Sequence, residues 1–428
     1  VLAAGETEAA LSHLRRALGS DGLSARALTE CASALMSAGA GAEAVTALRR
    51  AVEAQPNSAT ARFNLAVALR KTNHLAEAIG AFEEAAALGE DPAAVAVERA
   101  ACLVRLGRRD AAWEVFDGIV AAGGAAEGAS TALMAALYDE DRDAAQIRNL
   151  HAQATRRWPV GARRPAQAPC AADVPLPVAF LSGDFQGGHP VAQFMLPLLE
   201  RLPAHGVAPT VWLTATGVDP TAAWLARTAP TRDLTGTDDA AAAAAIAAER
   251  PALLIDLAGH TNGNRLKILG QRPAPLTACF LGYPGTTGYA GVDLLVADPV
   301  LVPEGDEGAY TEAIARLPDC FLCFSVPPGM PSPDPSPPAG RSLRFGSLNA
   351  LAKINGATLD LWARVLASVP EAELLVKCGE FAEAQTRAAF ARRAAAAGIA
   401  PDRLALEGPQ PFAQAMQAYR GIDIALDP

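Results

Sequence analysis

The sequence has few aromatic residues, no long apolar run and no excess of positive charge. Aromatics make up 5% of the 428 residues although 51% are hydrophobic, so the apolar content is largely alanine, as in closely packed helices. The longest alanine-rich run, residues 240–248, is too short to cross a bilayer, and no signal peptide is visible. The net charge of −10 argues against a general nucleic-acid-binding or anionic-membrane surface. The length suits two or three domains.

Cysteine is also sparse, with seven scattered residues. Cys320 and Cys323 form a single C-x-x-C inside a run that we predict to be a strand, and no second pair completes a zinc site. We therefore predict structural thiols and no metal. The odd count and wide spacing suit a reducing compartment, which predicts a cytoplasmic protein.

The first 155 residues repeat with a period of 34. An alanine recurs at this interval, followed four residues later by a large apolar side chain and seven later by a small or branched one. The alanines are Ala10, Ala44, Ala78 and Ala112, the large residues Leu14, Leu48, Phe82 and Phe116, and the last set Ala17, Ala51, Ala85 and Ile119. This spacing lines one helix face, and the period resembles the tetratricopeptide repeat. A degenerate fifth copy of the repeat covers residues 143–154. The array predicts an α-solenoid whose concave face binds an extended peptide; a helical spacer is the alternative.

A proline-containing linker at 156–176 separates the repeats from an α/β region. Between 177 and 326, strands at 178–181, 211–214, 253–257, 276–281 and 294–297 alternate with helices, which predicts a parallel sheet. The proline-rich segment 327–340 is a second, stiff linker. A second α/β set follows at 341–428, with strands at 343–348, 373–378, 404–407 and 422–426. Two Rossmann-like halves predict a ligand cleft between them, the arrangement of GT-B glycosyltransferases.

The strand at 276–281 ends in GYPGTTG, residues 282–288. Glycine-rich turns at the carboxyl ends of buried strands are common ligand sites in open α/β sheets, and the amides and threonine hydroxyls of this turn suit phosphate or sugar oxygens. A tight structural turn is the plain alternative.

Four blocks together resemble the O-linked N-acetylglucosamine transferase and SPINDLY-like family, its bacterial branch most closely. They are SGDFQGGHPV, LIDLAGHTNGNRL, RPAPLTACFLGYPGTTG and FGSLNALAKI, in this order after the repeats. The resemblance implies a repeat superhelix followed by a GT-B fold. It also implies metal-independent, inverting transfer of a sugar from a nucleotide donor, most simply uridine-diphosphate N-acetylglucosamine, to Ser or Thr of a protein. No other cofactor is implied.

The resemblance assigns roles to particular residues. His189 matches an active-site histidine considered as the base, although a histidine before proline is also a common turn residue. Lys353 matches the lysine that binds the donor diphosphate; the alternative is an exposed lysine at a helix start. Asn349 matches a neighbouring asparagine, whereas Ala350 replaces an amide side chain of the animal enzymes, which removes one donor contact.

Further family loops lie at the cleft. Tyr283, Pro284, Gly285, Thr286 and Thr287 match the cleft loop. His260 stands where animal relatives have tyrosine and either faces the cleft or caps a strand. Asp184 and Arg265 either contact the donor or hold these loops by hydrogen bonds.

The family continues with a glycine- and threonine-rich segment beyond the point where this sequence stops, at Asp427-Pro428. We therefore expect an incomplete second lobe and weak nucleotide binding by these 428 residues. Two other functions stay open: a catalytically idle repeat scaffold, and a glycosyltransferase acting on a lipid or polysaccharide. The sequence leaves the oligomeric state open.

Overall fold

The structure is a computed structural model, and it describes residues 4–20, 22–121, 128–165, 174–185, 189–215, 220–326, 330 and 342–428. It contains two compact units that interleave along the chain. The first comprises Val1–Glu8 and Phe116–Val326, and the second comprises Ala9–Val115 and Pro327–Pro428. Among the helices described, none combines the length and apolar character needed to cross a membrane.

In the described part of residues 1–155 there are nine helices, and the 34-residue period predicted from the sequence is confirmed. The helices are α1 (Ala4–Leu18), α2 (Ala25–Ser37), α3 (Gly41–Ala54), α4 (Ala59–Lys71), α5 (Leu75–Ala87), α6 (Pro92–Arg105), α7 (Arg109–Ala121), α8 (Ala129–Ala136) and α9 (Ala144–Thr155). The recurring alanines lie in α1, α3, α5 and α7. Ala44, Ala78 and Ala112 have no exposed surface, because neighbouring helices pack directly against them.

Local capping fixes where these helices begin. Ser24 and Ser58, 34 residues apart, each accept a hydrogen bond from a backbone amide of the first turn that follows. Asp91 caps α6 in the same way, ahead of Pro92 at the first helical position. The degenerate fifth copy contributes α9, which begins with a capping box between Asp143 and Gln146.

The first unit contains a seven-stranded parallel sheet. Its strands are β1 (Leu176–Ser182), β2 (Val207–Leu213), β3 (Thr231–Asp233), β4 (Leu253–Asp256), β5 (Leu276–Phe280), β6 (Leu294–Ala297) and β7 (Ala313–Arg316), with helices α10 (Pro190–Arg201), α11 (Pro220–Thr228), α12 (Asp239–Ala248) and α13 (Lys267–Gly270) between them. The order is β3-β2-β1-β4-β5-β6-β7. All five strands predicted here are present. The short edge strands β3 and β7 were not predicted.

One prediction in this unit is wrong. The run that holds Cys320 and Cys323 forms no strand. It is held instead by single contacts: the backbone amide of Phe321 donates to Asp298 Oδ2 at 2.9 Å, and the ring of Phe324 packs against that of Phe194 with centroids 5.9 Å apart. Phe321 is the apolar side chain of this run that packs against the core, whereas Leu322, Phe324 and Val326 are exposed.

The second unit contains a four-stranded parallel sheet. Its strands are β8 (Arg344–Ser347), β9 (Glu373–Lys377), β10 (Leu404–Glu407) and β11 (Ile424–Ala425), with helices α14 (Gly356–Ser368), α15 (Ala384–Ala396) and α16 (Phe412–Gln417), in the order β10-β9-β8-β11. The predicted strands are confirmed, the last one shortened to two residues. The apolar core of this lobe includes Trp362, Leu374, Val376 and Phe390.

Within the second unit, the repeats pack on this lobe through two glutamates. Glu383, which precedes α15, accepts hydrogen bonds from the backbone amides of Ala76 at 3.0 Å and Glu77 at 3.1 Å in the first turn of α5. Glu380 forms an ion pair with Arg105 of α6 at 3.1 Å. The lobe therefore supplies the N-terminal cap that α5 lacks in its own sequence.

Candidate functional site

Three loops of the first sheet leave it at the same edge. They follow β1, β4 and β5, which are adjacent in the sheet. The chain turns in opposite directions from β1 and β4, so the point between these two strands is a topological switch point, where open α/β sheets bind ligands. This edge brings together Asp184 and His189 after β1, His260 after β4, and the GYPGTTG loop after β5.

His189 lies directly before α10, with Pro190 at the first helical position, and its side chain forms no cap. Its Nε2 atom is 3.6 Å from Asp184 Oδ1, which is an ion-pair distance. The histidine side chain is 43% exposed and the aspartate 17%. Burial raises the pKa of Asp184, and the nearby His189 opposes that rise. Gln186, Gly187 and Gly188 lie outside the described residues.

The second ring nitrogen of His189, Nδ1, is buried and has no hydrogen-bond partner in the part of the chain that the structure describes. An imidazole with a carboxylate on one side and an unused nitrogen on the other can accept a proton and have the resulting charge stabilised. This pair is the candidate acid–base group of the first unit.

Asp256 is a buried carboxylate at the same edge that the sequence analysis missed. Its Oδ2 atom accepts hydrogen bonds from the amides of Ala258 at 3.1 Å and Gly259 at 2.5 Å, while Oδ1 has no partner among the residues described. Burial raises its pKa to about 6, despite the opposing effect of these hydrogen bonds. The available signal was a charged residue at the end of an otherwise apolar strand.

The polar groups of the GYPGTTG loop point inward. Thr286 Oγ1 donates to Glu312 Oε2 at 2.7 Å, and Thr287 donates to Glu312 through both its amide, at 2.7 Å, and its hydroxyl. Thr286 and Thr287 are buried. The expected contacts of these hydroxyls with a ligand are therefore not supported, because a buried carboxylate already occupies them. Glu312, just before β7, carried no sequence motif that predicted this role.

Tyr283 is likewise buried, and it contacts the repeat helices of the same unit. Its hydroxyl is 2.5 Å from Nε2 of His151 in α9 and 3.2 Å from the carbonyl of Leu133 in α8. Gly259 has φ +57°, and a Cβ there would overlap Tyr283. Pro284 is exposed and Gly285 half-buried, so only these two of the five predicted loop residues present substantial surface.

His260 joins the same buried cluster. Its Nδ1 is 3.0 Å from Ser130 Oγ in α8, and its Nε2 is 2.7 Å from the carbonyl of Thr287. Burial lowers the pKa of His260 to about 3 and that of His151 to about 4, so both rings are neutral near pH 7. Arg265 forms an ion pair with Asp239 at 2.8 Å. These residues hold the loops; His189 and Asp184 remain as the partly exposed pair.

The second unit places Asn349 and Lys353 after β8. Lys353 is half-buried and lies in a 3₁₀ turn, Leu351–Lys353, whereas α14 begins at Gly356 and is capped by Asn355. Its Nζ donates to Asn349 Oδ1 at 3.2 Å, and Asn349 Nδ2 donates to Asp427 Oδ1 at 3.0 Å. The ammonium group has no carboxylate partner within the described ranges, which leaves its charge available to an anion. Ala350 is exposed.

Across the described ranges, no three His, Cys, Asp or Glu side chains are grouped so that they could hold a metal ion. Cys320 is exposed and Cys323 half-buried, and both are free thiols. Cys170 lies outside the residues that the structure describes.

Comparison with known proteins gives matches for both halves of the chain. Residues 169–325 match the model of glycosyl transferase family 41, and residues 1–59, 32–94 and 63–130 match a tetratricopeptide-repeat model. An O-GlcNAc transferase from Thermobaculum terrenum, solved as a point mutant, superposes with a TM-score of 0.84 and 25% identity, over 94% of this chain and 78% of that one.

Two plant proteins are also similar. A probable UDP-N-acetylglucosamine–peptide N-acetylglucosaminyltransferase SPINDLY from Petunia hybrida is 37% identical over 202 residues, and the corresponding SEC protein from Arabidopsis thaliana is 27% identical over 243. The matched parts cover 46% and 54% of this chain. This chain spans only about a fifth to a quarter of those relatives, 21% and 24% of their lengths.

The repeats, the two parallel sheets and these similarities agree with one another. The chain resembles the O-linked N-acetylglucosamine transferase and SPINDLY-like glycosyltransferases, and its residues 169–325 match glycosyl transferase family 41.

Proposed function

We propose that this protein transfers a sugar, N-acetylglucosamine in the simplest case, from a uridine-diphosphate donor to Ser or Thr of proteins held by the repeats. The observation that carries the proposal is the His189–Asp184 pair at the switch point of the first sheet. It is a partly exposed imidazole beside a partly buried carboxylate. The similarity to plant UDP-N-acetylglucosamine–peptide N-acetylglucosaminyltransferases supports the same donor and a peptide acceptor, and that to a bacterial O-GlcNAc transferase supports the same sugar.

In the proposed reaction, His189 accepts the proton of the acceptor hydroxyl while the hydroxyl oxygen bonds to the anomeric carbon. The bond from that carbon to the diphosphate breaks, and the diphosphate leaves with the electron pair. Attack opposite the leaving group inverts the anomeric configuration. Asp184 stabilises the imidazolium, and Lys353, oriented by Asn349, stabilises the charge on the diphosphate. The proposed reaction uses no metal ion.

The loop residues take a supporting role in this proposal. Tyr283, Thr286, Thr287 and His260 form internal hydrogen bonds that fix the edge of the sheet, and Pro284 with Gly285 are the loop positions left to contact donor or acceptor.

The test offers uridine- and guanosine-diphosphate sugars with a bacterial lysate as acceptor to the gene product that carries this sequence. His189→Ala should lower the transfer rate about 10²- to 10⁴-fold, the usual contribution of a general base. Lys353→Ala should weaken donor binding, whereas Lys71→Ala, on an exposed part of α4, should change neither. NMR of the product reports the anomeric configuration, and activity in EDTA tests independence from metal. Full activity of the His189 variant would remove the base assignment.

A scaffold that binds proteins without transferring sugar is the second candidate. The observation that favours it is that the hydroxyls of Thr286 and Thr287 hydrogen-bond inside the protein, so the presence of this loop does not itself imply catalysis. Absence of donor binding by calorimetry, together with intact peptide binding, would select the scaffold.

A further inference from the structure

The second unit contains a cavity of about 580 Å³ between the repeats and the α/β lobe. One wall is the turn between α6 and α7, residues 106–108, and the other is the length of α15. Leu351, from the turn that also holds Lys353, closes one side. Leu351 and Phe390 are buried apolar residues, so the floor of the cavity is hydrophobic.

Three arginines line this cavity, and no carboxylate does. They are Arg108, Arg392 and Arg393. Arg108 and Arg392 are exposed, and in the described part of the chain their side chains form no hydrogen bond or ion pair. The nearby Glu383 is buried behind the wall, where its charge is offset by the N-terminus of α5 and the Thr386 hydroxyl. A concentration of positive charge is unusual in a chain with a net charge of −10.

One of the three arginines, Arg393, is held in place before any ligand arrives. The Arg393 guanidinium donates to the carbonyl of Ile354 at 3.0 Å. It also lies against Gly107, which has φ +70° and where a Cβ would come 2.7 Å from Nη1 of Arg393. A residue other than glycine would push the guanidinium away. A preorganised cation loses less conformational entropy when it binds an anion.

We propose that this cavity binds an acidic segment of the acceptor protein, with Asp or Glu side chains on the arginines and an adjacent apolar side chain on the floor. A peptide is favoured over a small anion because two of the three arginines lie at the exposed rim and one wall belongs to the repeats, a protein-binding architecture. Arginine is the side chain most suited to carboxylates, which it binds through two parallel hydrogen bonds. That the bound protein is an acceptor rests on the proposed function.

The test measures fluorescence anisotropy with three short labelled peptides that share a leucine and a serine. One carries Asp and Glu around the leucine, one Asn and Gln, and one Lys. The acidic peptide should bind more tightly than the others, with an affinity that falls as salt rises. Arg108→Glu and Arg392→Glu should each weaken it about tenfold or more, since arginines are frequent interface hot spots. Arg364→Glu, on the exposed side of α14, makes the same change of charge outside the cavity and should have little effect.

Equal weakening by Arg364→Glu would overturn the proposal, because general electrostatic attraction would then explain binding. The proposal would also be overturned if inorganic pyrophosphate bound tightly without displacing the peptide. The same holds if the acidic peptide bound no more tightly than the other two. Arg108→Gln and Arg392→Gln remove the charge without reversing it. They test whether repulsion between the introduced Glu and the acidic peptide causes the weaker binding. Circular dichroism checks that these variants fold. Binding is read without donor sugar. Failure of transfer with intact binding would therefore reject only the enzymatic proposal.

Discussion

A single buried carboxylate, Glu312, binds the two threonines that the sequence pattern assigned to a ligand. A glycine- and threonine-rich turn after a buried strand has the same composition whether its donors face a phosphate or an internal glutamate. The distinguishing residue lies 25 positions away from Thr287, with no motif around it. The location of the loop could therefore be predicted from the sequence, but the partner of its hydroxyls could not.

Replacing Glu312 by Gln should lower the free energy of unfolding by about 1–3 kcal/mol, because the amide nitrogen of Gln donates and cannot accept, so it leaves a buried donor unpaired. Urea denaturation measures the loss, and Glu304→Gln, at an exposed position, is the matched control. Unchanged stability combined with weaker donor binding would contradict the structural role and restore the loop as a ligand site.

The buried histidines predict a specific dependence on pH. His260 and His151 have pKa values lowered by burial to about 3 and about 4, against about 6.5 in an unfolded chain. The unfolded state therefore binds more protons below pH 6.5, and the stabilising effect of the neutral rings is lost as pH falls. At pH 5.5 each histidine should reduce stability by about 1 kcal/mol relative to high pH.

Urea denaturation between pH 7.5 and 5.5 checks this, with the difference between wild type and His260→Asn as the readout. The variant should show a shallower decline toward low pH. The comparison is needed because Asp256, whose pKa burial raises to about 6, changes stability in the opposite direction as pH falls. His205→Asn, at an exposed position, should leave the decline unchanged. If the free energy of unfolding declined equally in the wild type and the His260 variant, protonation of the ring would not destabilise the protein.

At the level of elements, periodicity predicted the helices and most strands well but missed both edge strands of the first sheet. β3 is TRD and β7 is AIAR, too short and too exposed to form an apolar pattern. The apolar run after β7 has a strand-like composition, yet its Phe321 ring packs on Phe280 with centroids 6.4 Å apart and forms no ladder. Edge strands depend on the neighbour that is available to pair, which the local sequence does not contain.

Helix α5 provides the prediction at this scale. Its N-terminal residue His74 forms no side-chain cap, and Glu383 supplies the acceptor oxygens from the α/β lobe. Glu383→Ala should cost about 1–2 kcal/mol, the value typical of a lost cap, and Glu383→Gln should cost less because one acceptor oxygen remains.

Circular dichroism during urea denaturation measures both Glu383 variants, and Glu371→Ala provides an exposed control. A Glu383→Ala protein as stable as the wild type would mean that water replaces the cap without loss.

At the scale of the whole molecule, each domain predicted from the sequence is one continuous segment, whereas each compact unit combines two segments that are separated in the chain. Residues 9–115 group with the C-terminal lobe rather than with the helices that follow them. The contacts inside this unit include that of Glu380 with Arg105, 275 residues apart. Because pairs of this kind do not recur periodically, they cannot be predicted from local sequence patterns.

We expect residues 9–115 to unfold together with the C-terminal lobe. Phe82, buried in α5, and Trp362, buried in α14, belong to the same unit, whereas Phe180 of β1 belongs to the other. In a protein whose single tryptophan is Trp362, Phe82→Leu should shift the fluorescence transition in urea to lower concentration. Phe180→Leu, a chemically identical change, should shift it less. Equal shifts would mean that the chain unfolds as one cooperative unit.

The inward orientation of the GYPGTTG loop also bears on how such genes diverge. Tyr283, Thr286 and Thr287 form buried hydrogen bonds that stabilise the fold, whether or not sugar is ever transferred. A lineage that abandons catalysis would therefore retain the loop under selection for solubility alone, while His189 and Lys353, which have few internal partners, would drift first. A genome survey that scores this motif would count active and inactive descendants together. The histidine and the lysine would then be needed to separate the two groups.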